Sequence, residues 1–134
     1  MKASSLSFQG AVLCVIAGMV WGLVMAISQD HSAHPAHAHL NLLGFVCLFL
    51  FGIYYRLHPA LERDKRALVQ VWSWLAGTVA MAIGVGLVHT GTQSAEPLAA
   101  GSSLIVLASM LLFAWILFQT ERSGASARVA APAE

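Results

Sequence analysis

Four long apolar runs, at residues 8–28, 38–57, 69–89 and 98–119, dominate the chain, and no Asp, Glu, Lys or Arg interrupts them except Arg56 at the rim of the second. A helix needs about 20 residues to cross a hydrocarbon core about 30 Å thick, so each run is long enough for one crossing. Arg56 sits where its stem reaches the headgroups. Short connections make consecutive spans antiparallel neighbours, and the expected fold is all-α: an up-down bundle of four transmembrane helices forming a single membrane domain over residues 1–122. From Ser123 onward, residues 123–134 carry too little large apolar surface to fold alone and are expected to form a disordered cytoplasmic tail. The first run contains Trp21 and ends in Met25-Ala26-Ile27-Ser28, without a small-x-small cleavage site, so it is expected to be retained rather than removed as a signal peptide.

Composition removes several classes of function. With 58% apolar and 10% charged residues the lipid bilayer is the expected solvent, and a net charge of +1 leaves no basic surface for nucleic acid. Cys14 and Cys47 lie inside apolar runs and read as small buried hydrophobes rather than as a disulfide or zinc pair. Proton-coupled export would need a membrane-embedded carboxylate, which the runs lack, and no base is positioned to activate either thiol. Small residues recur at helical spacing: Gly18, Gly22 and Ala26 in the first run, Gly44 and Gly52 in the second, and Ala76, Ala80 and Gly84 in the third. They let helices approach closely, and a flat cofactor between helices needs the same gaps.

All seven Lys and Arg residues fall before the first run, between the second and third, or after the fourth. By the positive-inside rule both termini are then cytoplasmic, as in a bacterial inner membrane. That orientation gathers five of the six histidines at the extracytoplasmic face: His31, His34, His37 and His39 before and at the start of the second run, and His89 at the end of the third. Neutral imidazoles grouped at a membrane rim suit a metal better than a proton relay. If Pro35 opens a helix, His37 and His39 point about 200° apart and cannot share one ion. If the stretch before Ala38 is extended, His31, His34 and His37 converge on copper or zinc, and a copper or zinc site of this face draws on His31, His34, His37 and His39, with Met25 as a soft thioether for Cu(I). A haem held by two axial imidazoles needs one histidine from each of two helices at similar depth, a condition that His39 and His89 meet, with Asn41, Thr90 and Gln93 as partners able to fix the ring tautomers.

The segment His37-Ala38-His39-Leu40-Asn41-Leu42-Leu43-Gly44-Phe45-Val46, continuing through Gly52-Ile53-Tyr54-Tyr55 to Pro59, resembles the His-x-His helix of haem–copper oxidase subunit I, closest to C-type oxidases and nitric oxide reductases. In that family the first histidine of the pair ligates the high-spin haem and the second the low-spin haem, so the resemblance assigns these roles to His37 and His39. Phe45 stands where the family has tryptophan, and the chain lacks the further copper-binding histidines and the cross-linked tyrosine of oxygen reduction. The resemblance therefore implies haem or metal binding without a complete oxidase. The leading expectation is a small integral membrane protein binding haem b through His39 and His89, with His37 as a substitute ligand or a ligand to a second site, for electron transfer, haem handling or redox sensing. The alternatives are a copper- or zinc-binding protein that aids oxidase assembly and a noncatalytic membrane subunit. The expected partners are lipid, a second copy of the chain, or a larger respiratory complex.

Overall fold

A computed structural model describes residues 1–130, with side chains up to residue 123. Four helices account for most of it: α1 (Ala3–Ser28), α2 (His34–Leu57), α3 (Lys65–His89) and α4 (Glu96–Ala130). No strand occurs among the described residues. All four helices are long and apolar enough to cross a membrane. Leu13, Met19, Leu23 and Ile27 on α1, and Leu104, Leu107, Leu111 and Phe118 on α4, are exposed. Such surfaces are sustained by lipid and not by water, and the protein is an integral membrane bundle of four helices.

The helices begin earlier than the apolar runs, and at α1 and α3 the added first turns are capped. At α1, the loop ahead of α3 supplies the cap: Ala3 N–H donates to the Glu62 carbonyl at 2.8 Å, and the Ser4 amide and hydroxyl donate to the Glu62 carboxylate at 3.2 and 2.6 Å. These bonds satisfy amides that a helix start leaves without intrahelical partners. Asp64 caps α3 by accepting from the Arg66 amide at 2.8 Å. The far end of α3 closes through Gly91, whose φ of 103° lets Thr92 N–H reach back to the Leu87 carbonyl at 2.8 Å. α4 runs on to Ala130, so its backbone is helical through residues that composition assigns to an unfolded tail; each added residue gains a hydrogen bond once the helix exists. Residues 131–134 of that expected tail lie outside the described residues.

α2 is not uniform. It is α-helical over His34–His39 and Leu48–Leu57, with a π-helical stretch, Leu40–Cys47, between them. A π turn replaces the i→i+4 bonding pattern by i→i+5, and two side chains bond carbonyls in and beside this stretch. Trp74 Nε1 on α3 donates to the Leu43 carbonyl at 3.0 Å, and Asn41 Nδ2 donates to the His37 carbonyl at 3.0 Å.

The glycines expected to serve packing do so. Gly18 lies against Asn41, Gly22 against His37, Gly44 against Cys14 and Gly52 against Phe8, so the α1–α2 contact is a series of rungs in which either helix contributes the glycine. Gly84 meets the Ala99 backbone, bringing α3 and α4 together. Further in, Tyr55, Gln70 and Trp74 are almost wholly buried. The Tyr55 hydroxyl donates to Gln70 Oε1 at 2.9 Å, and Ser109 on α4 donates to the Gln70 carbonyl at 2.8 Å.

Candidate functional site

The up-down path collects the described basic residues at one end of the bundle: Lys2 before α1, Arg56 to Arg66 around the second connection, and Arg122 late in α4. His31, His34, His37, His39 and His89 fall at the opposite end.

His34 is the first residue of α2 and Pro35 the second, so the stretch that would have to be extended to gather imidazoles is helical. Pro35 carries no N–H and its fixed φ suits a helix start. Spread around a helix, the histidines do not converge. Among the described residues no three His, Cys, Asp or Glu side chains come together as a metal-binding group, which removes the extended-strand version of the copper or zinc site. His31 is exposed and its Nδ1 donates to the Gln29 carbonyl at 3.2 Å. His34 is exposed, with its ring centre 6.4 Å from that of His37. Met25 is buried on α1.

His37 and His39 have different surroundings, as two residues about 200° apart on a helix should. The half-buried His37 points its Cε1 edge at α1, where a methyl on Gly22 would lie 2.9 Å away. Asn41 Nδ2 approaches its ring nitrogens at 3.2 and 3.4 Å. An amide NH₂ only donates, so whichever ring nitrogen lacks a proton is its acceptor, and the same group also donates to the His37 carbonyl. Asn41 therefore serves His37 and not His39. Its side chain in turn fills the space that Gly18 leaves on α1.

His39 and His89 are both exposed. His39 Nδ1 is 2.7 Å from the Pro35 carbonyl and His89 Nδ1 is 2.9 Å from the Val85 carbonyl. A carbonyl accepts only, so each Nδ1 carries the proton and each neutral ring keeps the Nε2 lone pair. This is the tautomer that a backbone carbonyl commonly fixes in a metal-ligating imidazole.

The depth of the two rings follows from packing. A methyl on Gly86 would lie 3.5 Å from Ala36 Cβ, which sets these two residues at one level. Three residues of helix correspond to about 4.5 Å, so the His39 and His89 backbones stand roughly 9 Å apart along the bundle axis. Side chains lean toward the N-terminus of their own helix. Because α2 and α3 are antiparallel, the two rings lean toward each other's level, each reaching a carbonyl four residues back.

The helix interior offers no slot for a flat guest at the glycines. Gly44 is filled by Cys14, Gly84 by Ala99, and Gly86 by Trp21, whose ring a methyl would meet at 3.0 Å. An apolar cleft of about 350 Å³ between α1 and α3, beside Leu40, has no histidine on its walls. Thr90 donates its hydroxyl to the Gly86 and Leu87 carbonyls at 2.9 and 3.1 Å, within its own helix end. Gln93 is exposed and opens the short turn Gln93–Ala95. His58, at the basic end, bonds the Tyr54 carbonyl through Nδ1 at 2.8 Å and repeats the His39 arrangement in isolation.

No family model, no curated protein and no solved structure matches the chain.

Proposed function

We propose that the protein is a small membrane b-type haem-binding protein, with His39 and His89 as the two axial ligands and the histidine end on the extracytoplasmic side of a bacterial inner membrane. One observation carries the reading. Two exposed imidazoles on neighbouring antiparallel helices each spend Nδ1–H on a backbone carbonyl and keep Nε2 available, with their rings leaning toward a common level. The donor set fits iron in a porphyrin, and the resemblance of the His-x-His segment to oxidase subunit I points the same way. The filled glycines move the guest from between the helices to the exposed flank, where a second copy or a larger respiratory complex has room to share it. His37, held by Asn41, is a supporting residue and not a ligand. A haem supplies one-electron exchange; the chain's part is to orient two rings and hold their tautomers, which suits electron transfer, haem handling or redox sensing rather than oxygen reduction.

The test is the absorption spectrum of detergent-purified full-length protein supplied with haem. A Soret band is expected, lost in His39→Ala and in His89→Ala and retained in His58→Ala. Absence of the band in the parent protein, or a band indifferent to both substitutions, refutes the assignment.

A further inference from the structure

Two cavities flank the Pro59–Leu61 turn at the basic end of the bundle, and they differ in how their charges are spent. The first, about 420 Å³, has Arg66 on its wall. That guanidinium is committed: it lies 2.6 Å from Asp64, donates to Gln119 at 3.2 Å and sits over the Trp115 ring at 5.3 Å. The second, about 430 Å³, is lined by Lys2, Arg56, Pro59, Ala60, Glu62 and Arg63.

Three cations there face one carboxylate, and that carboxylate is occupied elsewhere. Both Glu62 oxygens accept from Ser4 at the start of α1. The helix N-terminus they cap contributes roughly half a positive charge of its own, which offsets part of the glutamate. Arg56 approaches Glu62 only through Nε, at 3.7 Å, and sits over the Phe8 ring at 5.9 Å, while its two terminal nitrogens make no hydrogen bond among the described residues. The side chains of Lys2 and Arg63 make none either. Desolvation pushes the Glu62 carboxyl up, but the Ser4 hydrogen bonds, Arg56 and Lys2 outweigh it and hold the group below its ordinary value. The carboxylate thus stays ionised and bound to Ser4, and the excess positive charge is left for another anion.

Depth selects the anion. Arg56 is the last residue but one of α2, and Lys2 directly precedes α1, so the cavity opens at the level where a hydrocarbon core gives way to headgroups. A phosphate oxygen accepts from guanidinium and ammonium groups together, and three cations set against one carboxylate leave a net positive charge that a zwitterionic headgroup, whose phosphate is already balanced by its own ammonium, does not neutralise. We propose that this cavity is a binding site for a phosphate-bearing anion, filled in the membrane by the headgroup of an anionic phospholipid.

Native mass spectrometry of the full chain tests this, with phosphatidylglycerol and phosphatidylcholine of identical acyl chains offered in equal amounts. Phosphatidylglycerol should be retained over phosphatidylcholine, and Arg56→Gln and Arg63→Gln should each weaken that retention about fivefold, the effect of one cation near an anionic surface. Lys65→Gln, outside the cavity, should leave it unchanged. Lys2→Gln provides a variant whose side chain makes no hydrogen bond to lose, so its effect reads binding and not folding. A parallel arm offers inorganic phosphate and glycerol 1-phosphate. Displacement of the lipid by these at equal concentration supports the anion site with a soluble source, and no displacement assigns it to the lipid. Equal retention of both lipids with no phosphate bound, or retention unaffected by Lys2→Gln, Arg56→Gln and Arg63→Gln, overturns the proposal.

Discussion

Gly44→Ala is the sharpest probe of how the two N-terminal helices are held together. The added methyl would lie 2.8 Å from Cys14 Cβ and 2.9 Å from Cys14 Sγ. Carbon atoms in ordinary contact stay about 3.5–4.0 Å apart, so α1 and α2 must separate by roughly 1 Å. A Cβ is fixed to its backbone, and no side-chain rotation relieves the clash between two of them. Overpacking of this kind costs about 1–3 kcal/mol, and the rigidity of both atoms puts Gly44→Ala near the upper figure. Alanine returns about 1 kcal/mol in helix propensity, leaving a net loss of about 2 kcal/mol. Gly101→Ala on α4 is the control, because a methyl there meets nothing within 4 Å. It should gain the propensity of about 1 kcal/mol alone. Two chemically identical substitutions are therefore expected to differ by about 3 kcal/mol. Moving the glycine across the rung, with Cys14→Gly added to Gly44→Ala, should recover part of the loss and give a coupling energy of about 1–3 kcal/mol. Denaturant titration in mixed micelles, followed by tryptophan fluorescence and circular dichroism, measures the parent, Gly44→Ala, Cys14→Gly, the double variant and Gly101→Ala. The packing argument is refuted if Gly44→Ala matches Gly101→Ala in stability, or if the double substitution is simply additive.

Glu62 should make stability acid-sensitive. Its folded pKa lies below the unfolded value, so its contribution is present above an ordinary glutamate pKa of about 4.3 and disappears as pH falls through the folded value; thermal melts from pH 7 to pH 3 should show an acid limb that Glu62→Gln flattens, and an unchanged limb would disprove the coupling. Trp74→Phe keeps the ring that packs edge-on against Phe51 at 4.9 Å but leaves the Leu43 carbonyl without its donor. A loss of about 1–3 kcal/mol is expected in the same titration, and a neutral result would mean that the π-helical stretch does not depend on that bond.

Helix ends were legible wherever the sequence places a residue that stops a helix or tolerates water. Gln29-Asp30, His58-Pro59 and Thr90-Gly91 mark the ends of α1, α2 and α3, which stop at Ser28, Leu57 and His89 as the apolar runs do. Helix starts were less legible. The first turns of α1 and α3 consist of residues that a count of apolar side chains discards, and what sustains α1 there is Glu62, more than 50 positions away in sequence. Small residues four apart announced a packing face, but not which residue would fill each gap, since that depends on the relative register of two helices. The histidine end followed from topology alone. Which rings keep a free nitrogen did not, because it turns on whether Asn41 reaches His37 or His39, and the spacing of four that favours His37 becomes decisive only once Pro35 has begun the helix at His34.

The π-helical stretch accounts for that division of labour between the two histidines. In an uninterrupted α-helix each step of four residues advances about 40° around the axis, so Leu40 and Gly52 would face about 120° apart. Leu40, Gly44, Leu48 and Gly52 are nevertheless all buried. A wider turn rotates less per residue than an α turn, and the Leu40–Cys47 segment thereby offsets the drift and keeps one face of α2 toward the bundle along its whole length. With the face held in this way, Ala36 stays against Gly86 and His37 against Gly22 while the lower half of α2 still packs Phe51 and Tyr55 into the core. His39, a little over half a turn from His37, is left outside with its Nε2 uncommitted. The side chains that bond carbonyls in and beside this stretch, Trp74 from α3 and Asn41 from α2 itself, therefore also help fix which imidazole is enclosed and which is offered to a guest.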